Sequence, residues 1–152
     1  MKPKQSIIVK NDLSLNRKTY SGKPVQKDYY KKIFNIIKKN KFKSVLDIGC
    51  ASGDFSFFSP KNCNVLGIDI DRKLIEKAKK KNKIKNKKFR CINIFKTSSK
   101  KTKKFYKKYL NNFDLITLFG TFHLFRDYKK TIKVLAKFKP KMIVIITFIN
   151  MQ

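Results

Sequence analysis

The stretch that decides the fold is VLDIGCASGDFS, residues 45–56. It begins with a short apolar run and passes into GCASG, residues 49–53, which are all small. This pattern is typical of a buried strand that enters a tight turn before a helix. Gly49 and Gly53 let the backbone pass close to a ligand and leave amide groups free at the helix start. The sequence therefore predicts a strand–turn–helix unit with a ligand at its turn.

Apolar runs that alternate with helical patterns extend on both sides of this unit. Strands are predicted at 44–50, 64–69, 89–95, 113–119 and 142–148. Helices are predicted at 25–39, between residue 53 and Pro60, and around Phe105. Two more helices are predicted to begin after the capping residues Asp71 and Asp127. The last of these is expected to turn one face inward, formed by Tyr128, Ile132, Leu135 and Ala136. Continuous apolar strands between helices indicate a parallel sheet that is covered on both faces. We therefore expect an α/β, doubly wound fold with five strands.

The length of 152 residues, 41% of them hydrophobic, is that of one domain with a real core. Residues 1–24 are polar and irregular and are predicted to form an N-terminal arm, which leaves 25–152 as the domain. No apolar run approaches the roughly 20 residues of a membrane span. The first residues also lack the apolar core of a signal peptide, so we expect a cytoplasmic protein.

The chain is strongly basic, with 39 Lys and Arg against 9 Asp and Glu and a net charge of +30. Such a charge normally indicates nucleic acid or an anionic membrane surface. However, Lys, Ile, Phe and Asn share A/T-rich codons and make up about half of the chain, so biased composition also explains it. Arg, which specific phosphate and base recognition favours, is rare. We favour a solvated lysine surface and leave a nucleic-acid partner open.

The cysteines predict no metal site. Cys50, Cys63 and Cys91 lie 13 and 28 residues apart, which matches no metal-ligand spacing, and the chain has a single histidine. We interpret them as reduced, mostly buried thiols.

Two acidic residues at strand ends carry the information about the ligand. A turn that binds a pyrophosphate needs three glycines and no acid, whereas Asp47 suits a cation such as an amino-acid ammonium. Asp69 lies 22 residues later at the end of the next strand, where an acid accepts hydrogen bonds from both ribose hydroxyls. A nucleoside joined to an amino acid satisfies both, and that ligand is S-adenosylmethionine. Asp114, at a strand start, is interpreted as structural.

The same residues resemble the first motif of the class I (Rossmann-like) S-adenosylmethionine-dependent methyltransferases. The similarity covers roughly residues 25–148. VLGIDID (65–71) is similar to the second motif of the family, FDLITLFGTFHLF (113–125) to the region around strand four, and VLAKFKPKMIVIITF (134–148) to the stretch that ends in strand five.

The resemblance implies a role for each matching position. The methionine part of the cofactor would be held by Asp47, Gly49, Ala51 and Gly53, the ribose by Asp69, the adenine by Ile70 and Asn93, and Phe119 and Gly120 would line the floor near the sulfonium. Asn93 stands where the family often has Asp and would meet the adenine amino group through its carbonyl oxygen. His123 is a candidate general base, with a structural role equally open. Tyr20, Tyr29 and Tyr30 are lid or core residues, with core favoured.

The family fold has seven strands, the last two forming a hairpin beside strand five. The sequence stops at Gln152, directly after strand five, so the resemblance implies that the hairpin is missing and that strand five is an uncovered edge. A truncated domain is expected, with a fragment or a naturally minimal domain left open.

The predicted function is methyl transfer to a small-molecule or glycan-like acceptor, in which alignment contributes most of the catalysis. An RNA or DNA methyltransferase is the alternative that the charge favours. Against it, residues 118–121 read LFGT and not the Asn/Asp-Pro-Pro-aromatic loop that grips a flipped base. A non-catalytic cofactor- or RNA-binding module is the third alternative. The oligomeric state is not predicted.

Overall fold

The computed structural model describes residues 6–11 and 25–147, which form a six-stranded sheet with helices on both faces. In chain order the elements are β1 (Ser6–Asn11), α1 (Val25–Lys39), β2 (Ser44–Ile48), α2 (Asp54–Phe58), β3 (Asn64–Asp69), α3 (Arg72–Lys81), β4 (Lys87–Cys91), α4 (Lys100–Tyr109), β5 (Leu115–Phe119), a 3-10 helix (Phe122–Leu124), α5 (Tyr128–Ala136) and β6 (Met142–Thr147). The strand order is β1-β6-β5-β2-β3-β4 and every neighbouring pair is parallel. The doubly wound α/β fold is therefore confirmed.

The two faces of the sheet are covered by different helices. Successive side chains of a strand point to opposite faces, so neighbouring residues of one strand contact different helices. Val45 of β2 packs in a cluster with Ile33 of α1 and Phe55 of α2. The next residue, Leu46, packs in a cluster with Phe105 of α4 and Leu135 of α5. The sheet thus lies between two helical layers, and the carboxyl ends of its central strands are left for a site.

Aspartates at helix and strand starts fix the local geometry as the sequence predicts. Asp71 caps α3, since its Oδ1 accepts hydrogen bonds from the N–H groups of Lys73 (2.7 Å) and Leu74 (3.2 Å). Asp127 caps α5 in the same way. Asp114 has the expected structural role: it accepts from the Lys43 N–H (2.7 Å) and pairs with the Lys141 ammonium (2.8 Å).

The structure corrects the number of strands and the edge of the sheet. Residues 6–11, assigned to the irregular arm, form β1, which pairs in parallel with β6 from Ser6 opposite Met142 to Asn11 opposite Thr147. The fifth predicted strand is therefore covered on its outer side, and the expectation of an uncovered edge is wrong. The run Ile7-Ile8-Val9 has β propensity, but it is short and lies among polar residues, so the sequence analysis did not predict a strand there.

Smaller corrections concern element boundaries. β4 begins at Lys87 and ends at Cys91, short of the predicted residue 95. After it the Ile92 N–H still donates to the Asp69 carbonyl (2.8 Å), and the chain then turns. On α5, Tyr128 is half exposed and not inward, and Ala136 is exposed. The predicted strand end at Phe148 lies outside the described residues.

The remaining expectations concern the thiols and the membrane. Cys50, Cys63 and Cys91 are free, and the first two are buried, as predicted. Among the residues the structure describes, no helix is both long and apolar enough to cross a membrane.

Candidate functional site

The carboxyl ends of the central strands open into a cavity of about 590 Å³, within the range of small-molecule sites. It lies where the strand order reverses between β2 and β5, the position where ligands bind in open α/β sheets. Eight of the nine predicted cofactor-binding residues line it, namely Asp47, Gly49, Ala51, Asp69, Ile70, Asn93, Phe119 and Gly120. Gly53 is the exception: it belongs to the turn after β2 but does not line the cavity.

The turn after β2 has a left-handed backbone, which glycine adopts without strain because it has no Cβ. Gly49 (φ 74°), Ala51 (φ 47°) and Gly53 (φ 79°) are all left-handed. A Cβ at Gly49 would collide with the side-chain methyl of Thr121, and one at Gly53 would lie 2.6 Å from a ring carbon of Phe89. The two glycines are therefore required by packing against the protein itself, in addition to any ligand.

Asp47 is a buried carboxylate at the end of β2. It is 1% exposed, yet it lines the cavity. The Thr117 hydroxyl on β5, directly opposite in register, donates to its Oδ1 at 2.9 Å. Burial raises the pKa of Asp47 to about 7, the Asp69 charge adds to this, and the Thr117 hydrogen bond opposes it. A cation bound in the cavity would relieve this unfavourable burial of charge.

Thr117 is a residue that the sequence analysis missed, although a signal for it exists. It is a polar residue in the middle of the apolar run LITLF of β5 and is fully buried. A buried hydroxyl requires a partner, and the doubly wound strand order places β5 beside β2.

Asp69, at the end of β3, is held rigidly with acceptor capacity to spare. Its Oδ2 accepts from the Ala51 N–H and its Oδ1 from the Asp71 N–H, both at 2.9 Å. Each carboxylate oxygen has two lone pairs, so each retains one acceptor position. The fixed carboxylate can therefore accept hydrogen bonds from a pair of neighbouring hydroxyls.

The far end of the cavity is formed by residues after β3 and β4. Ile70 is 72% exposed and offers an apolar surface at the mouth. The side-chain oxygen of Asn93, Oδ1, which was expected to meet an adenine amino group, accepts a hydrogen bond from the Phe95 N–H at 2.9 Å. It retains one lone pair for a ligand.

An aromatic wall closes the opposite end. The Phe119 ring lies 5.4 Å from the Tyr30 ring, edge to face, and 5.2 Å from the Phe55 ring. Tyr30, for which a core role was favoured, lines the cavity. Burial raises its pKa above the ordinary range, so the phenol stays neutral.

The backbone of His123 belongs to the 3-10 helix, between the cavity residues Thr121 and Leu124. Its side chain lies outside the described part of the chain, so its role as a base stays a prediction.

Comparison with known families identifies the chain. A family model described as a methyltransferase domain matches residues 38–152, which is most of the sequence. The chain belongs to this methyltransferase family. The resemblance inferred from residues 45–56 is thereby confirmed. A search of curated proteins returns no match.

Solved methyltransferase structures share the fold of this methyltransferase domain. The chain is similar to the plantazolicin methyltransferase BpumL bound to a pentazolic desmethylPZN analog and SAH, with TM-score 0.61 and 21% identity over 86% of this chain and 50% of that chain. It is also similar to the CurJ carbon methyltransferase (TM-score 0.64, 16% identity, 78% of this chain and 34% of that one). The methyltransferase domain of bacterial CtHen1 gives TM-score 0.63 and 18% identity over 80% and 66%. The chain thus spans half or less of the first two proteins.

Proposed function

We propose that this methyltransferase domain transfers the methyl group of S-adenosylmethionine to a small-molecule or glycan-like acceptor. The observation that carries the proposal is the placement of Asp47 and Asp69 at the ends of the neighbouring strands β2 and β3, in one cavity with the glycine turn between them. A buried acid suited to an ammonium and a fixed acid suited to two hydroxyls match the methionine ammonium and the ribose of this cofactor. The structurally similar BpumL was crystallised with SAH and a substrate analog, which supports the choice of this cofactor.

Each part of the cavity then has a role in binding. Asp47 attracts the ammonium of the methionine moiety, and its own charge becomes more favourable when the ammonium is present. Asp69 accepts hydrogen bonds from the two ribose hydroxyls. Ile70 packs against the adenine, and Asn93 accepts from its amino group. The close approach of Thr121 to Gly49 keeps the turn in the conformation that binds the methionine moiety.

Catalysis follows from alignment. The bound cofactor supplies an electrophilic methyl group on its sulfonium. Phe119 and Gly120, which line the cavity, would form the floor beside that group and Tyr30 the wall, so these residues would restrict the approach of water and of the acceptor. Holding two reactants in line can contribute about 7 to 11 kcal/mol, whereas a positioned base adds about 10² to 10⁴-fold. His123 is therefore proposed as an auxiliary base and not as the main source of rate.

Turnover tests the proposal. The protein is incubated with S-adenosylmethionine and a fractionated pool of small molecules and oligosaccharides, and formation of S-adenosylhomocysteine is measured. We expect acceptor-dependent formation with wild type and with Glu76→Ala, an exposed acid outside the cavity, and much less with Asp69→Ala. Equal product formation by Asp69→Ala would place the cofactor elsewhere.

A nucleic-acid acceptor is the second candidate because the net charge is +30. If nucleic acid is the acceptor, the protein should bind some RNA sequences more tightly than others at physiological salt.

A further inference from the structure

The cavity is larger than the part that the proposed cofactor residues occupy. The residues proposed to hold the methionine, ribose and adenine parts follow β2, β3 and β4 from Asp47 to Asn93, whereas the cavity continues past the floor at Phe119 and Gly120 over the ends of β5 and β6. This second part, here called the acceptor subsite, is lined by Tyr30, Phe119, Thr121, Leu124 and Ile146. The inference drawn from it rests on the proposed function, since the cofactor has to fill the first part.

The acceptor subsite presents flat and aliphatic surfaces. The Tyr30 and Phe119 rings meet edge to face at 5.4 Å and are supported from behind by Phe55. Ile146 closes the base, and Leu124 stands at the mouth with 65% of its surface exposed. Aromatic rings in this arrangement favour another flat ring packed against them.

The charges of the cavity disfavour an ionic acceptor. About a quarter of the chain is Lys or Arg, yet none of the described lining residues is basic, while Asp47, Asp54 and Asp69 all line the cavity. These acids repel an anion. None of these acids is among the residues that line the acceptor subsite itself. A cation buried there would therefore have no direct partner, which is costly.

The subsite also offers few partners for a sugar. Among its described side chains only Tyr30 and Thr121 carry hydroxyls, and the Thr121 hydroxyl already lies 3.5 Å from the Ile48 carbonyl. Sugar hydroxyls that lose water without new hydrogen bonds lose free energy. From these surfaces and charges we infer that the acceptor is an uncharged molecule with a flat, apolar ring that packs against Tyr30, Phe119 and Leu124.

The test compares probes of one shape and different charge on the protein saturated with S-adenosylhomocysteine. Calorimetry first establishes that S-adenosylhomocysteine binds. Saturation-transfer NMR then gives affinities for uncharged 3-methylindole, anionic indole-3-acetate, cationic tryptamine and methyl glucoside, in about 0.15 M salt to screen the surface lysines. We expect 3-methylindole to bind at least about tenfold more tightly than the other three, because each of them would lose solvation without a partner.

Two variants locate the bound ring, and a third is the control. Tyr30→Ala and Leu124→Glu should each remove most of the 3-methylindole signal, and Leu124→Glu should leave S-adenosylhomocysteine affinity unchanged. Leu124 is exposed, so Leu124→Glu keeps the test valid if Tyr30→Ala does not fold. Ile84→Glu changes another exposed aliphatic residue, which lies outside the cavity, and should alter neither affinity.

The possible failures are distinct. If S-adenosylhomocysteine does not bind, the proposed function and this inference fall together. If it binds but a charged probe or the glucoside binds as well as 3-methylindole, only the inference is overturned. The same holds if none of the probes binds, or if the signal survives in both cavity variants.

Discussion

Lowering the pH should weaken the binding of S-adenosylmethionine, because Asp47 has to be ionised to hold an ammonium. Burial raises the pKa of Asp47 to about 7. Each pH unit below that value leaves about tenfold fewer ionised carboxylates. Affinity should therefore fall about 25-fold between pH 7.5 and pH 5.5, the ratio of the ionised fractions. In the ligand-free protein the sign is opposite: the contribution of Asp47 to folding is fully present below about pH 4 and is lost as the pH rises through about 7.

Calorimetry at the two pH values measures this effect, and buffers of different ionisation enthalpy count the proton that Asp47 releases at pH 5.5. Asp47→Asn should bind more weakly at pH 7.5 and show a nearly flat profile. This variant also shows whether the pH dependence comes from Asp47 or from another group. Thr117→Val removes the hydrogen bond that lowers the pKa of Asp47, so its profile should move to higher pH. Wild-type affinity that does not change with pH would refute the reasoning, as would the same 25-fold loss in Asp47→Asn.

Three further predictions use other parts of the molecule. Lys87→Met should lower the free energy of unfolding in urea by about 2 to 4 kcal/mol. The reason is that the buried Lys87 ammonium donates to Ser59 Oγ and to the Pro60 and Cys63 carbonyls. The control Lys88→Met, at an exposed position, should change the stability little. His123→Ala should lower turnover by no more than about 10²-fold and leave cofactor affinity unchanged; a larger loss, with a wild-type rate that titrates near pH 6.5, would make it an essential base. RNA binding should be weak and unselective at about 0.15 M salt in filter assays and disappear as salt rises; a tight complex that discriminates between RNAs would favour the nucleic-acid candidate.

Features that depend on local pattern could be predicted from the sequence. Residue type and short spacing are enough to predict the strand–turn–helix unit and the caps at Asp71 and Asp127. They also predict that Asp47 and Asp69 lie at the ends of neighbouring strands. The rule that carboxyl ends of parallel strands share one edge then brings the two acids into one cavity.

Features that depend on distant partners could not be predicted in the same way. β1 is stabilised by pairing with β6, at the other end of the chain, so its short run of Ile7, Ile8 and Val9 gave too little local signal. The Thr121 methyl explains why Gly49 tolerates no Cβ, and the sequence alone does not bring those two residues together. The placement of Tyr30 in the cavity wall likewise depends on how α1 packs over β5.

The most direct test of the account is a calorimetric titration of S-adenosylmethionine into wild type, Asp69→Ala and the control Glu76→Ala at pH 7.5, with circular dichroism melts to verify folding. The account predicts one site in wild type and unchanged affinity in Glu76→Ala. Asp69→Ala should bind about 30- to 1,000-fold more weakly, the equivalent of about 2 to 4 kcal/mol for two hydrogen bonds to a charged group. Absence of binding by folded wild type, or wild-type affinity in Asp69→Ala, would contradict the account.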